Sequence, residues 1–220
     1  MTSLKTHPAG SIAPQQKRSV EMRKRILSAV EKLVKNGNYN TATVHDIVQA
    51  AGCSTGAFYG RFSDKNAALL AVIDGRCALL QARLSPVFDP KNIASKSLED
   101  VLAAFIDAVF DHTATGVAFL KTTPVMSMAS NDDNPFLARF RDLNAQSAIW
   151  MAALYDHHTD KLPKHRPESA HMTLALVGGL CRDVLLDRAK VNARSTQKKF
   201  DADGFKAELL RIVRGYLMFE

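Results

Sequence analysis

Between Arg23 and Ile73 the chain reads RKRILSAVEKLVKNGNYNTATVHDIVQAAGCSTGAFYGRFSDKNAALLAVI, and its turn residues fall so close together that only short helices fit between them. From Arg23 to Val34 the apolar residues Ile26, Leu27, Val30, Leu33 and Val34 recur at steps of three and four. Lys24, Arg25, Glu31, Lys32 and Lys35 take the opposite face, the pattern of an amphipathic helix. Asn36-Gly37-Asn38 closes it, since glycine and asparagine accept the left-handed conformation at a helix end. Thr43, followed three residues later by Asp46, is placed to cap a second helix carrying Val44, Ile47, Val48 and Ala51.

Ala51-Gly52-Cys53 then allows only a tight turn, and Ser54 can cap a third helix expected over Thr55 to Phe62. Phe58 and Phe62 face inward on that helix; Thr55, Gly56, Tyr59 and Gly60 face out. Two short helices joined by such a turn form a helix-turn-helix, and small residues at the start of the second let it approach the floor of a DNA major groove. Ser63 is expected to cap a fourth helix that begins at Asp64-Lys65 and runs to about Leu84.

These residues resemble the TetR/AcrR-type bacterial transcriptional regulators. The resemblance rests on Arg23, Ile26, Leu27 and Ala29; on Tyr39, Thr43, Val44, Asp46, Ile47, Ala51, Gly52 and Ser54; and on Gly56, Tyr59, Phe62 and Lys65. It spans about 50 residues at consistent spacing, more specific than any short motif. Asn38 stands where the family prefers glycine, Cys53 where it has valine or isoleucine, and Arg61 where histidine is frequent; Asn66 and Ala68 replace the common glutamate and leucine.

The formal charge of +7 is concentrated at one end. Residues 1 to 65 hold ten Lys/Arg against four Asp/Glu, a net +6, and the remaining residues hold nineteen against eighteen, a net +1. The excess therefore coincides with the helix-turn-helix and fits a polyanionic partner there. On that basis Thr43, Ser54, Tyr59, Arg61 and Lys65 are candidate phosphate contacts, and Thr55, Gly56 and Ala57 candidate contacts to base edges. Thr43 and Ser54 also read as caps alone, and Tyr39 as core packing.

Residues 1 to 16 are rich in Pro, Ser, Thr and Gln and read as a disordered tail, either a mere leader or, with Lys17 and Arg18, a basic arm for a minor groove. They lack the apolar middle of a signal peptide, and the sequence contains no uninterrupted run of about eighteen apolar residues to span a membrane. Three separated cysteines, Cys53, Cys77 and Cys181, offer neither a disulfide frame nor a CxxC pair. A cytoplasmic location is the expectation.

The divisions expected are a tail (1–16), a three-helix DNA-binding domain (17–65) and a larger helical domain (66–220), an all-α fold of about nine helices. Past Leu84 a loop containing Pro90 is expected to run to about Ser97. A fifth helix then carries Leu98, Val101, Leu102, Phe105, Ile106 and Val109; Gly116 separates it from a sixth element, Val117 to Ala129, interrupted by Pro124. Asn134-Pro135 opens a seventh helix to about His157. After a loop from Pro163 to Pro167, two more helices span about Glu168 to Ala189 and Gly204 to Phe219. Gly178-Gly179 lies in the middle of the first of these, at a cost of about 1 kcal/mol per glycine relative to alanine, which the close approach of another helix would offset.

The resemblance implies that the two C-terminal helices pair with those of a second copy to form a homodimer. It also implies that the C-terminal domain holds a small-molecule effector, as yet unidentified, whose binding releases double-stranded operator DNA. Two half-sites read together bind far more tightly than one. Phe105, Phe119, Met126, Met128, Trp150 and Cys181 are candidate pocket residues, each with ordinary core packing as the competing reading. His157, His158, Asp160, His165 and His171 match no zinc spacing and read as a solvated helix end. No metal, cofactor or catalytic motif is expected: there is no Gly-x-Ser-x-Gly elbow, phosphate-binding glycine loop or His-Glu-x-x-His. The leading expectation is a ligand-released repressor. The alternatives are an activator of the same fold, or a small-molecule-binding helical protein or enzyme without specific operator binding.

Overall fold

A computed structural model describes residues 14–122, 134–162, 168–191 and 201–218. Among these residues every regular element is an α-helix: α1 (Pro14–Lys35), α2 (Val44–Ala51), α3 (Thr55–Tyr59), α4 (Lys65–Leu84), α5 (Pro90–Ser95), α6 (Leu98–Thr122), α7 (Pro135–His157), α8 (Ser169–Val191) and α9 (Ala202–Met218). The all-α expectation holds. The chain divides into two compact units, Met1–Val72 and Ile73–Glu220. The division falls inside α4 and not at residue 65, because the first turns of that helix, with buried Ala68, Leu69 and Val72, belong to the smaller unit.

In the first unit α1 starts at Pro14, before the expected end of the tail at Gln16. Proline suits a first helical turn, where its missing N–H has no intrahelical acceptor, and the residues after it lack helix breakers. Residues 1–13 lie outside the described residues. Ile26, Ala29, Val30 and Val34 are buried along one face of α1. At its end Gly37 takes φ +74°, its N–H bonding the Val34 carbonyl at 3.0 Å and that of Asn38 the Leu33 carbonyl at 2.9 Å. The same pair of bonds closes α2: Gly52 to Gln49 at 3.1 Å and Cys53 to Val48 at 3.0 Å, with Gly52 at φ +60°. A side chain at Gly52 would be strained by that φ alone.

In the second unit α6 packs against α8 and α9, and α8 packs also against α7 and α9. Val101, Leu102, Phe105 and Ile106 from α6, Met151, Leu154 and Tyr155 from α7, and Val177 and Cys181 from α8 are almost completely buried. Two expectations need correction. The loop around Pro90 contains the short helix α5, started by Asp89, whose carboxylate accepts the Lys91 N–H at 2.9 Å. Gly116 does not break the chain: α6 runs through it to Thr122, and the space a Cβ would need is taken by the guanidinium of Arg76. Arg76 donates there to the His112 carbonyl at 2.9 Å and lies over the Phe119 ring at 4.8 Å. The remainder of the expected sixth element, 123–129, lies outside the described residues.

Two of the helices bear on the expectation that no segment spans a membrane. Leu98–Thr122 and Ser169–Asp187 are long and apolar enough to cross one. Both are packed core helices, however, and α6 carries Asp107 and Asp111 in ion pairs to Lys206 of α9, at 2.9 and 3.6 Å. Those carboxylates on α6 are incompatible with a lipid-facing span.

Candidate nucleic-acid interface

Two of the three caps expected from the sequence form, at Thr43 and Ser54. Thr43 Oγ1 accepts the Asp46 N–H at 3.3 Å, and the Asp46 carboxylate accepts the Thr43 N–H at 2.7 Å, completing a reciprocal capping box. Thr43 Oγ1 also donates its proton to Asp46 at 2.7 Å. These bonds to Thr43 hold the Asp46 carboxyl below the usual carboxylate range. Ser54 Oγ accepts the Ala57 N–H at 3.1 Å and starts α3. A helix of so few residues has little cooperative stability of its own, so its cap and its packing must set its orientation.

α3 stops at Tyr59, short of the expected Phe62. Gly60 is a poor helix residue, and the Arg61 side chain turns back to bond the Ala57 carbonyl at 2.9 Å. Phe58 and Phe62 are buried with ring centroids 5.7 Å apart. Thr55, Gly56 and Tyr59 are exposed as expected, Tyr59 with 54% of its surface free. Ala57 is half-buried and stands back from that edge. The outward edge of α3 is therefore small at its start and ends in one phenol, free of long side chains that would hold it away from base edges.

The two cations assigned to phosphates are turned inward. Lys65 Nζ donates to the carbonyls of Ala42, Asn40 and Tyr39 at 2.9, 3.2 and 3.4 Å and lies 5.2 Å from the centre of the Tyr39 ring. All three ammonium donors thus hold the segment between α1 and α2. Tyr39 is buried, as expected, and its hydroxyl donates back toward the Lys65 carbonyl at 2.8 Å; burial raises its phenol pKa. Ser63 does not cap α4; Asp64 does, accepting the Ala67 N–H at 2.8 Å, because a carboxylate one residue closer completes the turn.

Arg61 bridges Ala57 to Ser19 of α1, donating to Ser19 Oγ at 3.1 Å. No sequence signal marks Ser19, which lies forty-two residues away in the chain.

The family model described as "Bacterial regulatory proteins, tetR family" matches residues 26–72, the stretch in which these caps and turns lie. Residues 26–72 are thus similar to the DNA-binding domain of the TetR family. The HTH-type transcriptional regulator BetI of Escherichia coli O157:H7 is 27% identical over 159 residues, covering 72% of this chain and 79% of that protein. Among solved structures, the fatty acid degradation regulator FadR from Bacillus halodurans aligns with a TM-score of 0.67 at 12% identity, over 94% of this chain and 98% of that one. The transcriptional regulator FadR from Bacillus subtilis, solved in complex with stearoyl-CoA, aligns with a TM-score of 0.64 at 14% identity, over 86% and 96%. At these identities the two structures establish the fold.

The TetR-family fold places the candidate pocket residues in the larger unit. Phe105 and Cys181 are buried and Trp150 is half-buried. Phe105 and Trp150 meet through Phe88, whose ring centre is 5.9 Å from each and nearly parallel to the indole. Phe88 was not anticipated, since it follows a proline in a stretch read as loop. Phe119 is buried under Arg76, and Met126 and Met128 lie outside the described residues. Burial pushes the Cys181 thiol up to about 11 and raises that of Cys77, so neither is a ready thiolate. Cys53, in the turn before α3, is half-buried.

Among the described residues no group of three or more His, Cys, Asp or Glu is arranged to hold a metal. His165 lies outside them. His158 is buried and not part of a solvated helix end: its N–H bonds the Tyr155 carbonyl at 3.1 Å as α7 closes, and its ring meets that of His157 edge to face.

Proposed function

We propose that this regulator is a homodimeric repressor that reads a palindromic operator with α3 and leaves it when a small molecule occupies the C-terminal unit. The observation that carries the reading is the exposed edge of α3, where Thr55, Gly56 and Tyr59 face solvent in the segment that holds the chain's basic excess. Thr43 and Ser54 sit exposed at helix starts, where free N–H groups attract phosphate. Lys17, Arg18 and Lys24 on α1 are exposed and add positive charge to the same unit.

Dimerisation is supported by α8 and α9. Among the described residues a Cβ at Gly178 would meet nothing within 4 Å and one at Gly179 only the Arg182 side chain of the same helix at 3.9 Å, so no other described helix offsets the cost of the pair. On α9 the apolar stripe splits: Leu209, Val213 and Leu217 are buried, whereas Ile212, Tyr216 and Met218 are exposed, as is Met172 of α8. A second copy laid on these residues would cover them. The aromatic group of Phe88, Phe105 and Trp150 supports an apolar lining for an effector. The reading places the protein in the cytoplasm and gives it no catalytic role.

The test is selection of bound duplexes from a random pool, followed by fluorescence anisotropy on the winners. A palindrome should emerge, bound at two chains per duplex, with Thr55→Ala changing preference among sequences and Tyr59→Ala weakening all of them. Uniform weak binding, unaffected by Tyr59→Ala, would sink the specific-reader function. Compounds that release the selected duplex then identify the effector.

A further inference from the structure

We infer that Arg61 is a positioning residue for DNA reading: it clamps the C-terminal end of α3 to α1, so that the pose of the reading edge depends on a side chain that does not itself contact DNA. The inference rests on the operator-reading function proposed above. α3 is five residues long. Its start is fixed by the Ser54 cap, its inner face by Phe58, and its last turn by Arg61, which donates through one terminal nitrogen to the Ala57 carbonyl at 2.9 Å and through the other to Ser19 Oγ at 3.1 Å.

The guanidinium is part-buried, held against protein on the side that faces Ala57 and exposed on the side that reaches Ser19. Its Nε is buried without a hydrogen-bond partner among the described residues. A charged donor stripped of water in this way is unfavourable unless the rest of the group is well held, which fits a side chain laid against protein and not one extended to solvent. The neighbouring cation behaves similarly: Arg23, also from α1, places its guanidinium 5.7 Å from the centre of the buried Phe62 ring. The turn after α3 is thus gripped from α1 by one bridge and one cation over an aromatic face.

A planar fork with two separated donors spans two acceptors that a lysine ammonium reaches only one at a time. Base-edge hydrogen bonds depend steeply on distance and angle, so a small rotation of a five-residue helix changes which sequence fits best. A phosphate contact would behave differently, since it strengthens all sequences alike and contributes to the salt dependence.

The experiment uses the full chain with Arg61→Ala, Arg61→Lys and Ser19→Ala, measured by anisotropy on a selected operator and on scrambled duplex across a salt series, with amide hydrogen exchange on the free protein. Arg61→Ala should lower the operator-to-scrambled affinity ratio about tenfold, comparable to one mismatched base pair, with the salt slope unchanged. Ser19→Ala, which leaves the charge in place, should reproduce part of that loss, and Arg61→Lys should restore little. Exchange at residues 58–62 should quicken in both Arg61→Ala and Ser19→Ala.

A salt slope flattened by about one unit with the ratio preserved would make Arg61 a phosphate contact and overturn the inference. So would a lowered Tm with affinity and ratio intact, which is the mark of a merely structural role. If the native protein shows no sequence preference, the reader and the specificity role fall together, and the exchange rates still report separately whether the clamp exists.

Discussion

The smaller unit holds its helices by their ends, and the larger holds them by their sides. α2 and α3 are eight and five residues long, and each is defined by a capping hydroxyl, a glycine close behind it and an inward-turned cation nearby. α6, α7 and α8 run to twenty-five, twenty-three and twenty-three residues and meet along continuous apolar faces. Helix formation is cooperative with a costly first turn, so long helices absorb a lost cap and short ones do not. The short helices α2 and α3 concentrate their geometry in a few polar contacts; the long helices of the larger unit spread theirs over many packed side chains.

The largest effect expected is at the most deeply buried ring of the smaller unit. Phe58 has no exposed surface, and its ring meets those of Tyr59 and Phe62. Phe58→Ala should cost about 3–5 kcal/mol, enough to abolish a folded reading head. Met151→Ala, equally buried in α7, should cost about 2–5 kcal/mol and leave the reading head's amide exchange unchanged. Denaturant melts followed by exchange at both units check the pair; equal loss of protection in both units would show that they fold as one and break the comparison.

The units should also separate by pH. Burial, with Arg76 and Arg83 nearby, lowers the pKa of His112 on α6 to about 4 from an ordinary value near 6.5. The folded protein therefore holds this imidazole neutral where the unfolded chain would protonate it. Stability is full above about 6.5, falls as pH drops from there toward about 4, and is flat with respect to this group below that. His112→Gln should flatten the profile across that window for the larger unit, measured as the urea midpoint between pH 7.5 and 5. In the smaller unit Asp46, shifted downward, contributes stability that is present above about 4 and lost as pH falls through its lowered value. Acid should loosen the larger unit first.

Lys65→Met comes next. Removing an ammonium that bonds three carbonyls should cost about 1–3 kcal/mol, with the methionine stem preserving much of the packing. DNA affinity should fall on all sequences, and the comparison sharpens if most of that fall is recovered at temperatures where the variant is fully folded, because the loss is then of the fold and not of a phosphate contact.

What could be read ahead followed the same division. Caps and closing glycines are local, so Thr43, Asp46, Ser54, Gly37 and Gly52 announced their roles within a few residues of sequence, and the helix ends they mark were placed correctly. The periodicity of α7, α8 and α9 was likewise enough to place those helices. The contacts that stayed hidden are non-local. Gly116 looks like a break because glycine is a poor helix residue, and only the Arg76 guanidinium lying against it explains why α6 continues. Arg61 and Lys65 look like phosphate contacts because they are basic beside a reading helix. Only the folded chain brings Ser19 and the Asn40 and Ala42 carbonyls within their reach. Phe88 reaches Trp150 across more than sixty residues of sequence that no local pattern connects.

One contact occurs in both units with nearly the same geometry, and it isolates the effect of helix length. On α2, Thr43 Oγ1 accepts from Asp46 N at 3.3 Å and donates to its carboxylate at 2.7 Å; at the start of α6, Ser97 Oγ accepts from Asp100 N at 3.1 Å and donates to its carboxylate at 2.6 Å. Both carboxyls are held below their ordinary range by these bonds. Thr43→Ala and Ser97→Ala should each cost about 1 kcal/mol of stability, the smallest effect in this series. Their consequences should nevertheless diverge. In a helix of twenty-five residues the loss frays one turn, and the packed Val101, Leu102 and Phe105 hold the rest in place. In a helix of eight residues that turn is a large share of the element, and α3 hangs from its other end through the Gly52 turn. Operator affinity should therefore fall several-fold in Thr43→Ala and stay unchanged in Ser97→Ala at equal stability loss. If the two substitutions changed affinity alike, the pose of α3 would not depend on the cap of α2, and the contrast between end-held and side-held helices would not reach function.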